Sequence, residues 1–226
     1  MTPAFKDRAD AGHRLAERLA RTALPPPVIV LALPRGGVPI GSEVARRLAA
    51  PLDLLLVRKI GAPGQPELAV AAVVEGEGPE VVIDEETLAA SGADHRYVQD
   101  QARGQWREIE RRRAVYLKGR ARPALQGATV VVVDDGIATG TTARAALQAL
   151  RRRQPGRLVL AVPVAPADTV ARLRAEVDEL VCLATPAPFR AVGLHYGDFH
   201  QVGDDEVVAA LDAASAGAAT SGSPRP

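Results

Sequence analysis

The sequence of 226 residues is poor in cysteine and in aromatic residues, with one cysteine and 3% Phe, Trp and Tyr. The single cysteine, Cys182, excludes an intrachain disulfide, and we expect it to be a small buried residue and not a reactive thiol. These features favour a reducing, cytoplasmic environment. Lysine occurs only at Lys6, Lys59 and Lys118, and the preference for arginine together with abundant alanine is typical of a GC-rich bacterial genome.

The chain also lacks a charge excess and a long apolar run. Its 28 basic residues nearly balance its 27 acidic residues, so we expect neither nucleic acid nor an anionic membrane as a partner. No apolar run approaches the roughly 18 residues of a membrane-spanning helix, and we expect neither membrane spanning nor secretion. The length suits one enzyme-sized domain, which we expect at residues 1–212, followed by a disordered Ala/Ser/Gly/Pro-rich tail at residues 213–226.

The most informative segment is VVVVDDGIATGTT at residues 130–142. Its four valines predict a strand buried on both faces, and Asp134 and Asp135 follow at the carboxyl end, where open α/β sheets bind ligands. A turn of small and hydroxyl-bearing residues then leads into a predicted helix at residues 143–152, and such a turn suits a phosphate. Because paired carboxylates accept hydrogen bonds from a vicinal diol, the segment indicates a ribose 5-phosphate site. The alternative is an ordinary helix cap, which needs one acid and no threonines.

Hydrophobic patterning predicts an alternation of helices and strands around this segment. The predicted helices are residues 5–21, 38–49, 94–118, 168–176 and 204–212; the predicted strands are residues 28–33, 52–57, 68–74, 80–83, 158–164 and 179–183. The Gly- and Pro-containing residues 60–66 are predicted to be a loop. The order of elements indicates βαβ units and therefore a mainly parallel sheet.

Two further groups of polar residues follow predicted parallel strands. Pro34-Arg35-Gly36-Gly37 follows the first strand, and an arginine beside two glycines can hold phosphate oxygens with its guanidinium and its backbone. Arg58 and Lys59 are predicted at the carboxyl end of the next strand, on the same edge of the sheet. Taken alone, these residues are also compatible with a tight turn and with surface charges.

The chain resembles the type I phosphoribosyltransferases. Residues 130–142 are similar to the 5-phosphoribosyl 1-pyrophosphate (PRPP) signature of that family, except that Gly136 stands where the family has an aliphatic residue, and residues 34–37 resemble its pyrophosphate loop. FKDRADAGHRLAERL at residues 5–19 and RKIGAPGQPELAVAAVVEG at residues 58–76 resemble a subfamily of bacterial stand-alone members. The resemblance covers residues 5 to about 212. It implies an α/β fold with a twisted, mainly parallel sheet flanked by helices and a small hood built from the N- and C-terminal segments.

The resemblance also implies a reaction, in which a nitrogen nucleophile displaces pyrophosphate from PRPP in the presence of Mg²⁺. The residues it implies for PRPP binding lie in the three segments described above: Arg35, Gly36, Gly37, Arg58, Lys59, Asp134, Asp135, Gly136, Ile137, Ala138, Thr139, Gly140, Thr141 and Thr142. Asp134, Asp135, Arg35 and Lys59 are the expected catalytic residues. Mg²⁺ is expected to be held mainly by PRPP, and residues 60–67 are expected to close over the site and exclude water.

The acceptor site is predicted in the aromatic-containing residues 188–207, with Phe189 and Tyr196 as the acceptor-binding residues. The alternative for these aromatics is packing of the terminal helix against the core. The 6-oxopurine transferases carry an acid where this chain has Ala138, which disfavours hypoxanthine and guanine. Another nucleobase, as in nucleotide salvage, or an acceptor that is not a base, stays open.

Two other functions remain open at this stage. A PRPP-binding regulatory protein without transferase activity would keep the acids and the phosphate turn. A nucleotide hydrolase is disfavoured, since neither G-x-x-x-x-G-K-[ST] nor G-x-G-x-x-G occurs in the sequence. The oligomeric state is also left open, with a homo-oligomer among the alternatives.

Overall fold

A computed structural model describes residues 3–76 and 78–220 of the chain. Its central sheet contains five strands: β1 (Val28–Ala32), β2 (Leu52–Leu54), β6 (Thr129–Val133), β7 (Arg157–Val164) and β8 (Glu179–Ala184). The strand order is β2-β1-β6-β7-β8, and every neighbouring pair is parallel. The prediction of a mainly parallel α/β sheet is therefore confirmed.

A second, antiparallel sheet differs from the expected loop at residues 60–66. It contains β3 (Val57–Ala62), β4 (Gln65–Val74) and β5 (Glu80–Ile83), in the order β3-β4-β5. The turn between β3 and β4 is only two residues long and contains Gly64, whose φ of +71° suits glycine. Pairing with β4 and burial of Ile60 and Ala62 outweigh the local Gly and Pro signals.

Seven helices occur in the described part of the chain: α1 (Arg8–Leu19), α2 (Gly37–Leu48), α3 (Glu85–Ser91), α4 (His95–Leu117), α5 (Thr141–Arg152), α6 (Ala167–Leu173) and α7 (Asp204–Thr220). The sequence analysis did not predict α3. None of the described helices is long and apolar enough to cross a membrane.

The last helix also differs from the expected disordered tail. Helix α7 continues through residue 220, so residues 213–220 are helical, while residues 221–226 lie outside the described part of the chain. The Ala-rich composition explains this difference, because alanine has the highest helix propensity of all residues.

The central sheet separates two hydrophobic layers. Val131 and Val133 of β6 face α1 and α2, whereas Val130 and Val132 face α5 and β4. All four valines are fully buried, as predicted for a strand covered on both faces. The carboxyl end of β6 is therefore fixed by a rigid, buried strand.

Candidate functional site

The loops that follow β1 and β6 lie side by side because these two strands are neighbours. Ala32 pairs with Val133 in the parallel register, and the N–H of Leu33 donates to the carbonyl of Val133 at 2.9 Å. Residues 34–37 and residues 134–140 therefore leave the same edge of the sheet at the same level. The structure brings together two of the three segments that the sequence analysis singled out.

The two glycines of the first loop touch the second loop directly. A Cβ on Gly36 would overlap the carboxyl group of Asp135, and a Cβ on Gly37 would come within 2.8 Å of the carbonyl oxygen of Val133. The peptide bond between Pro34 and Arg35 is cis. Any residue with a side chain at position 36 would displace either this loop or the acid.

Each carboxylate of the acid pair has one oxygen engaged by the protein. The N–H of Asp135 donates to Oδ1 of Asp134 at 2.8 Å, and Nε of Arg8 donates to Oδ2 of Asp135 at 2.8 Å. Within the described residues, Oδ2 of Asp134 and Oδ1 of Asp135 accept no hydrogen bond from a donor group, and neither is sealed from solvent. The pair thus presents two adjacent acceptor oxygens.

Burial and mutual repulsion govern the ionisation of the pair. The pKa of Asp134 is raised well above its usual range, chiefly by burial and then by the charge on Asp135. Burial also raises the pKa of Asp135, but the hydrogen bond and the charge of Arg8 oppose that effect. Burial therefore opposes two full negative charges on the pair, and Arg8 favours the charge on Asp135.

The turn after the acids exposes a row of hydrogen-bond donors. Ile137 is buried and anchors the turn, since its N–H donates to the carbonyl of Val164 at 3.0 Å. Among the residues that the structure describes, no acceptor is found for the N–H groups of Ala138, Thr139 and Gly140. The first N–H groups of a helix also lack intrahelical partners, so the start of α5 extends this row. The side chains of the three threonines in this turn are exposed.

The basic residues occupy positions different from those predicted. Arg58 and Lys59 lie in β3 of the antiparallel sheet, not at the carboxyl edge of the parallel sheet. Nζ of Lys59 lies 2.6 Å from a carboxylate oxygen of Glu67. Both basic residues nevertheless line one cavity of about 620 Å³ together with Thr142 at the start of α5. The β3–β4 hairpin therefore faces the start of α5, at Thr142, across this cavity.

Arg35 forms an ion pair with the last helix. Its Nη1 lies 3.4 Å from Oδ1 of Asp204, and the hydroxyl of Tyr116 donates to the same oxygen at 2.7 Å. Both Arg35 and Asp204 are partly exposed. Asp204 therefore connects Arg35 to Tyr116 of α4.

The two predicted acceptor residues have different surroundings. Phe189 lines a cavity of about 600 Å³ with Ala138, Thr139 and Thr185, and its ring stacks on that of His195 at a centroid distance of 5.0 Å. Tyr196 is buried, does not line this cavity, and donates its hydroxyl to the carbonyl of Asp135 at 2.5 Å. Of the two, only Phe189 lines this cavity, whereas Tyr196 contacts the backbone of the acid loop.

The sequence analysis did not single out Arg8, which contacts the acid pair through Asp135. This residue belongs to the buried face of α1, in phase with Ala11, Leu15 and Leu19, and it is itself buried. A charged residue on the apolar face of an amphipathic helix usually has a buried partner, and this was the signal that could have identified it.

Both of these loops lie within a stretch of the chain that matches a known protein family. The profile of the phosphoribosyl transferase domain matches residues 4–196. The chain belongs to the phosphoribosyl transferase family. The predictions of the family and of the fold class are therefore confirmed.

Three relatives of this phosphoribosyl transferase family member are particularly similar. Two are proteins of Mycobacterium tuberculosis, strains CDC 1551 and H37Rv, whose names give a provisional phosphoribosyl transferase assignment; each is 50% identical over 210 residues. These alignments cover 93% of this chain and 47% of each relative, so the chain spans about half the length of the curated relatives that it matches. The crystal structure of TT1426 from Thermus thermophilus is 47% identical, has a TM-score of 0.80, and aligns over 92% of this chain and 97% of its own.

Proposed function

We propose that this chain transfers the 5-phosphoribosyl group of PRPP to a nitrogen nucleophile and releases pyrophosphate. The observation that carries the proposal is the position of two adjacent, unengaged carboxylate oxygens beside a row of unengaged N–H donors. A sugar phosphate combines the complementary groups, since its hydroxyls donate to carboxylates and its phosphate accepts from N–H groups.

The ribose 5-phosphate moiety fits the second loop. The backbone donors of residues 138–142 and the threonine hydroxyls would bind the 5-phosphate, at a turn that precedes the positive end of α5. The unengaged oxygens of Asp134 and Asp135 would accept hydrogen bonds from the two ribose hydroxyls. Gly136 and Ile137 would hold the loop between these two groups of contacts.

The pyrophosphate moiety fits the first loop. Arg35 would exchange its pair with Asp204 for pyrophosphate oxygens, while Gly36 and Gly37 allow a close approach of the backbone. Arg58 and Lys59 line a cavity with Thr142, and they would add positive charge to the site from the β3–β4 hairpin. These cations would stabilise the negative charge that develops on the leaving group.

Mg²⁺ would enter the site as part of the Mg²⁺–PRPP complex. The described residues contain no group of three or more His, Cys, Asp and Glu side chains that could hold a metal ion. Mg²⁺ usually keeps several waters and binds phosphate oxygens, so oxygens of PRPP and water would be its ligands. Bound in this way, it would offset charge on the departing pyrophosphate.

The chemical step would need little proton transfer by the protein. The bond between the anomeric carbon and pyrophosphate would break, the acceptor nitrogen would form a bond to that carbon through an oxocarbenium-like transition state, and the proton of that nitrogen would pass to water. The charge of the acid pair would stabilise the positive charge that develops on the ribose. The β3–β4 hairpin would exclude water by closing against the turn, because hydrolysis competes with transfer.

The acceptor would bind in the cavity lined by Phe189 and Ala138. A partly buried aromatic ring offers a stacking surface for a planar nucleobase. Ala138 has no polar side chain to recognise a ring nitrogen, so a 6-oxopurine would lack the contact that the related purine transferases supply. We therefore expect the acceptor to be a different nucleobase or another planar nitrogen compound.

The decisive experiment is an assay of pyrophosphate release from Mg²⁺–PRPP with a panel of nucleobases, alongside calorimetric binding of PRPP. Release that depends on one acceptor, and that is lost in Phe189→Ala while PRPP still binds, would support the transferase. Tight PRPP binding without release for any acceptor would contradict the transferase and indicate the regulatory alternative. Cleavage of nucleoside triphosphates in place of PRPP would also contradict it and indicate a hydrolase.

A further inference from the structure

Arg8 of helix α1 places its guanidinium against the acid pair, although the two lie 127 positions apart in the sequence. The side chain of Asp7 caps α1 by accepting the N–H of Asp10, so Arg8 is the first residue of the helix. The apolar face of α1 packs against α2 and the central sheet. Arg8 lies on this face, and only 8% of its side chain is exposed. The helix therefore fixes the position of its guanidinium.

The guanidinium of Arg8 has three different partners. Its Nε donates to Oδ2 of Asp135 at 2.8 Å, and its Nη1 donates to the carbonyl of His200 at 2.8 Å. Its face lies over the ring of Phe199, 3.8 Å from the ring centroid. Arg8 thus connects the N-terminal helix, the loop at residues 196–203 before α7, and the acid loop.

These contacts determine which oxygen of Asp135 stays available. Oδ2 lies between Arg8 and the backbone of Gly36, where a Cβ has no space. Oδ1 has no hydrogen-bond donor among the described residues. The charged or titratable groups that face this carboxyl are Arg8 from α1, Asp134 from the same loop and Tyr196 from the loop at residues 196–203. Arg8 is therefore the one described cation in direct contact with the acid pair.

We propose that Arg8 is a positioning residue for the ribose site, which holds Asp135 by Oδ2 so that Oδ1 receives a ribose hydroxyl. This inference rests on the proposed function, since it assigns Arg8 a role in the same site. Arg8 acts through Asp135 and does not itself touch the substrate. Arg8 would also keep the carboxylate charged beside a second acid in a half-buried loop.

The test compares ligands with and without the hydroxyl groups. Arg8→Gln should weaken the binding of ribose 5-phosphate by roughly tenfold to a hundredfold, which corresponds to one hydrogen bond to a charged group. The same substitution should leave the binding of inorganic phosphate to the turn nearly unchanged. Arg8→Lys should recover part of the loss, because it keeps the charge but not the second hydrogen bond or the stacking.

A matched control comes from the same helix. Arg14 lies over the ring of Phe5 at 4.7 Å and donates to the carbonyl of Ala4, but does not contact the acid pair. Arg14→Gln should therefore leave the affinity for ribose 5-phosphate unchanged. A similar loss in Arg14→Gln and Arg8→Gln would overturn the proposal, because it would indicate a general effect of destabilising α1.

A double-mutant cycle tests whether Arg8 acts through Asp135. In an Asp135→Asn background, Arg8→Gln should cause little further loss of ribose 5-phosphate affinity, because the interaction is already broken. Additive losses would overturn the proposal, as would equal losses for inorganic phosphate and ribose 5-phosphate.

If Arg8→Gln does not fold, Arg8→Lys is used for the same comparison of ligands and for the same cycle. A wild-type protein that binds neither PRPP nor ribose 5-phosphate would contradict the proposed function itself, whereas normal wild-type binding with an unaffected Arg8 variant would contradict only this inference.

Discussion

The backbone of Gly36 stands so close to Asp135 that a Cβ on Gly36 would overlap Oδ2 of the carboxylate. Arg8 donates a hydrogen bond to the same oxygen, so a displacement of the carboxylate would break that contact. The glycine of one loop and the acid of the other therefore form a single packed unit. Each loop depends on the other for its conformation.

Gly36→Ala tests this relationship. The added methyl group should displace the acid or the loop, destabilise the protein by about 1–3 kcal/mol, and weaken PRPP binding. Gly104→Ala is the matched control, because a Cβ at Gly104 meets nothing within 4 Å. Thermal melting and PRPP calorimetry check both variants. Wild-type affinity in Gly36→Ala would show that the two loops are not coupled.

The two acids should differ in their effects on stability. The folded-state pKa of Asp134 is raised, so the folded protein binds a proton more tightly than the unfolded chain does. That contribution to stability is complete below the unfolded pKa, about 4, and is lost as the pH rises through the folded pKa. Asp134→Asn should therefore raise the free energy of unfolding above that pKa and leave it nearly unchanged at pH values below about 4.

Asp135→Asn should have the opposite effect on stability. It removes the negative partner of the buried Arg8 and should destabilise the protein by about 1–3 kcal/mol. Both single variants should lose PRPP affinity, because each removes a carboxylate from the proposed ribose site. Chemical denaturation at several pH values checks the pair of variants. Equal changes in the free energy of unfolding at neutral pH would contradict the different surroundings of the two acids, of which only Asp135 has a hydrogen bond from Arg8.

The site could be predicted from the sequence where its determinants are local. The four valines, the acids and the threonine turn are contiguous, so strand, loop and helix follow from the order of residues 130–142. The positions of Arg58 and Lys59 were wrong because pairing between β3 and β4 decides their surroundings, and such pairing depends on contacts distant in sequence. The link from Arg8 to Asp135 spans 127 positions, and no local pattern encodes it.

Arg35 should act on pyrophosphate and not on the ribose phosphate. Its guanidinium is held by Asp204, and its loop follows β1, whereas the threonine turn follows β6. Arg35→Ala should weaken the binding of PRPP and of free pyrophosphate by roughly tenfold or more, and should change the binding of ribose 5-phosphate little. Arg47→Ala is a control, since Arg47 is an arginine of α2 that pairs with Glu17. Equal losses for ribose 5-phosphate and pyrophosphate in Arg35→Ala would contradict this division of the site.

The phosphate turn is best tested through its threonines. Gly140 is a poor probe, because its φ of +81° and a Cβ position 2.9 Å from Cγ2 of Thr169 make any side chain there destabilising. Thr141 and Thr142 are exposed, so their replacement by valine removes a hydroxyl without disturbing the core.

Thr141→Val and Thr142→Val should each retain native melting behaviour. At least one of them should weaken the binding of ribose 5-phosphate and of inorganic phosphate, by roughly tenfold to a hundredfold, which is the worth of a hydrogen bond to a dianion. The control is Thr87→Val in the first turn of α3, because Thr87 does not line the cavity that borders Thr139, Gly140 and Thr141. If both variants at the start of α5 bind phosphate and ribose 5-phosphate like the wild-type protein, the hydroxyls do not take part in binding. In that case only the backbone N–H groups of residues 138–140 would hold the phosphate. Thr87→Val, Thr141→Val and Thr142→Val would then all bind inorganic phosphate with the same affinity.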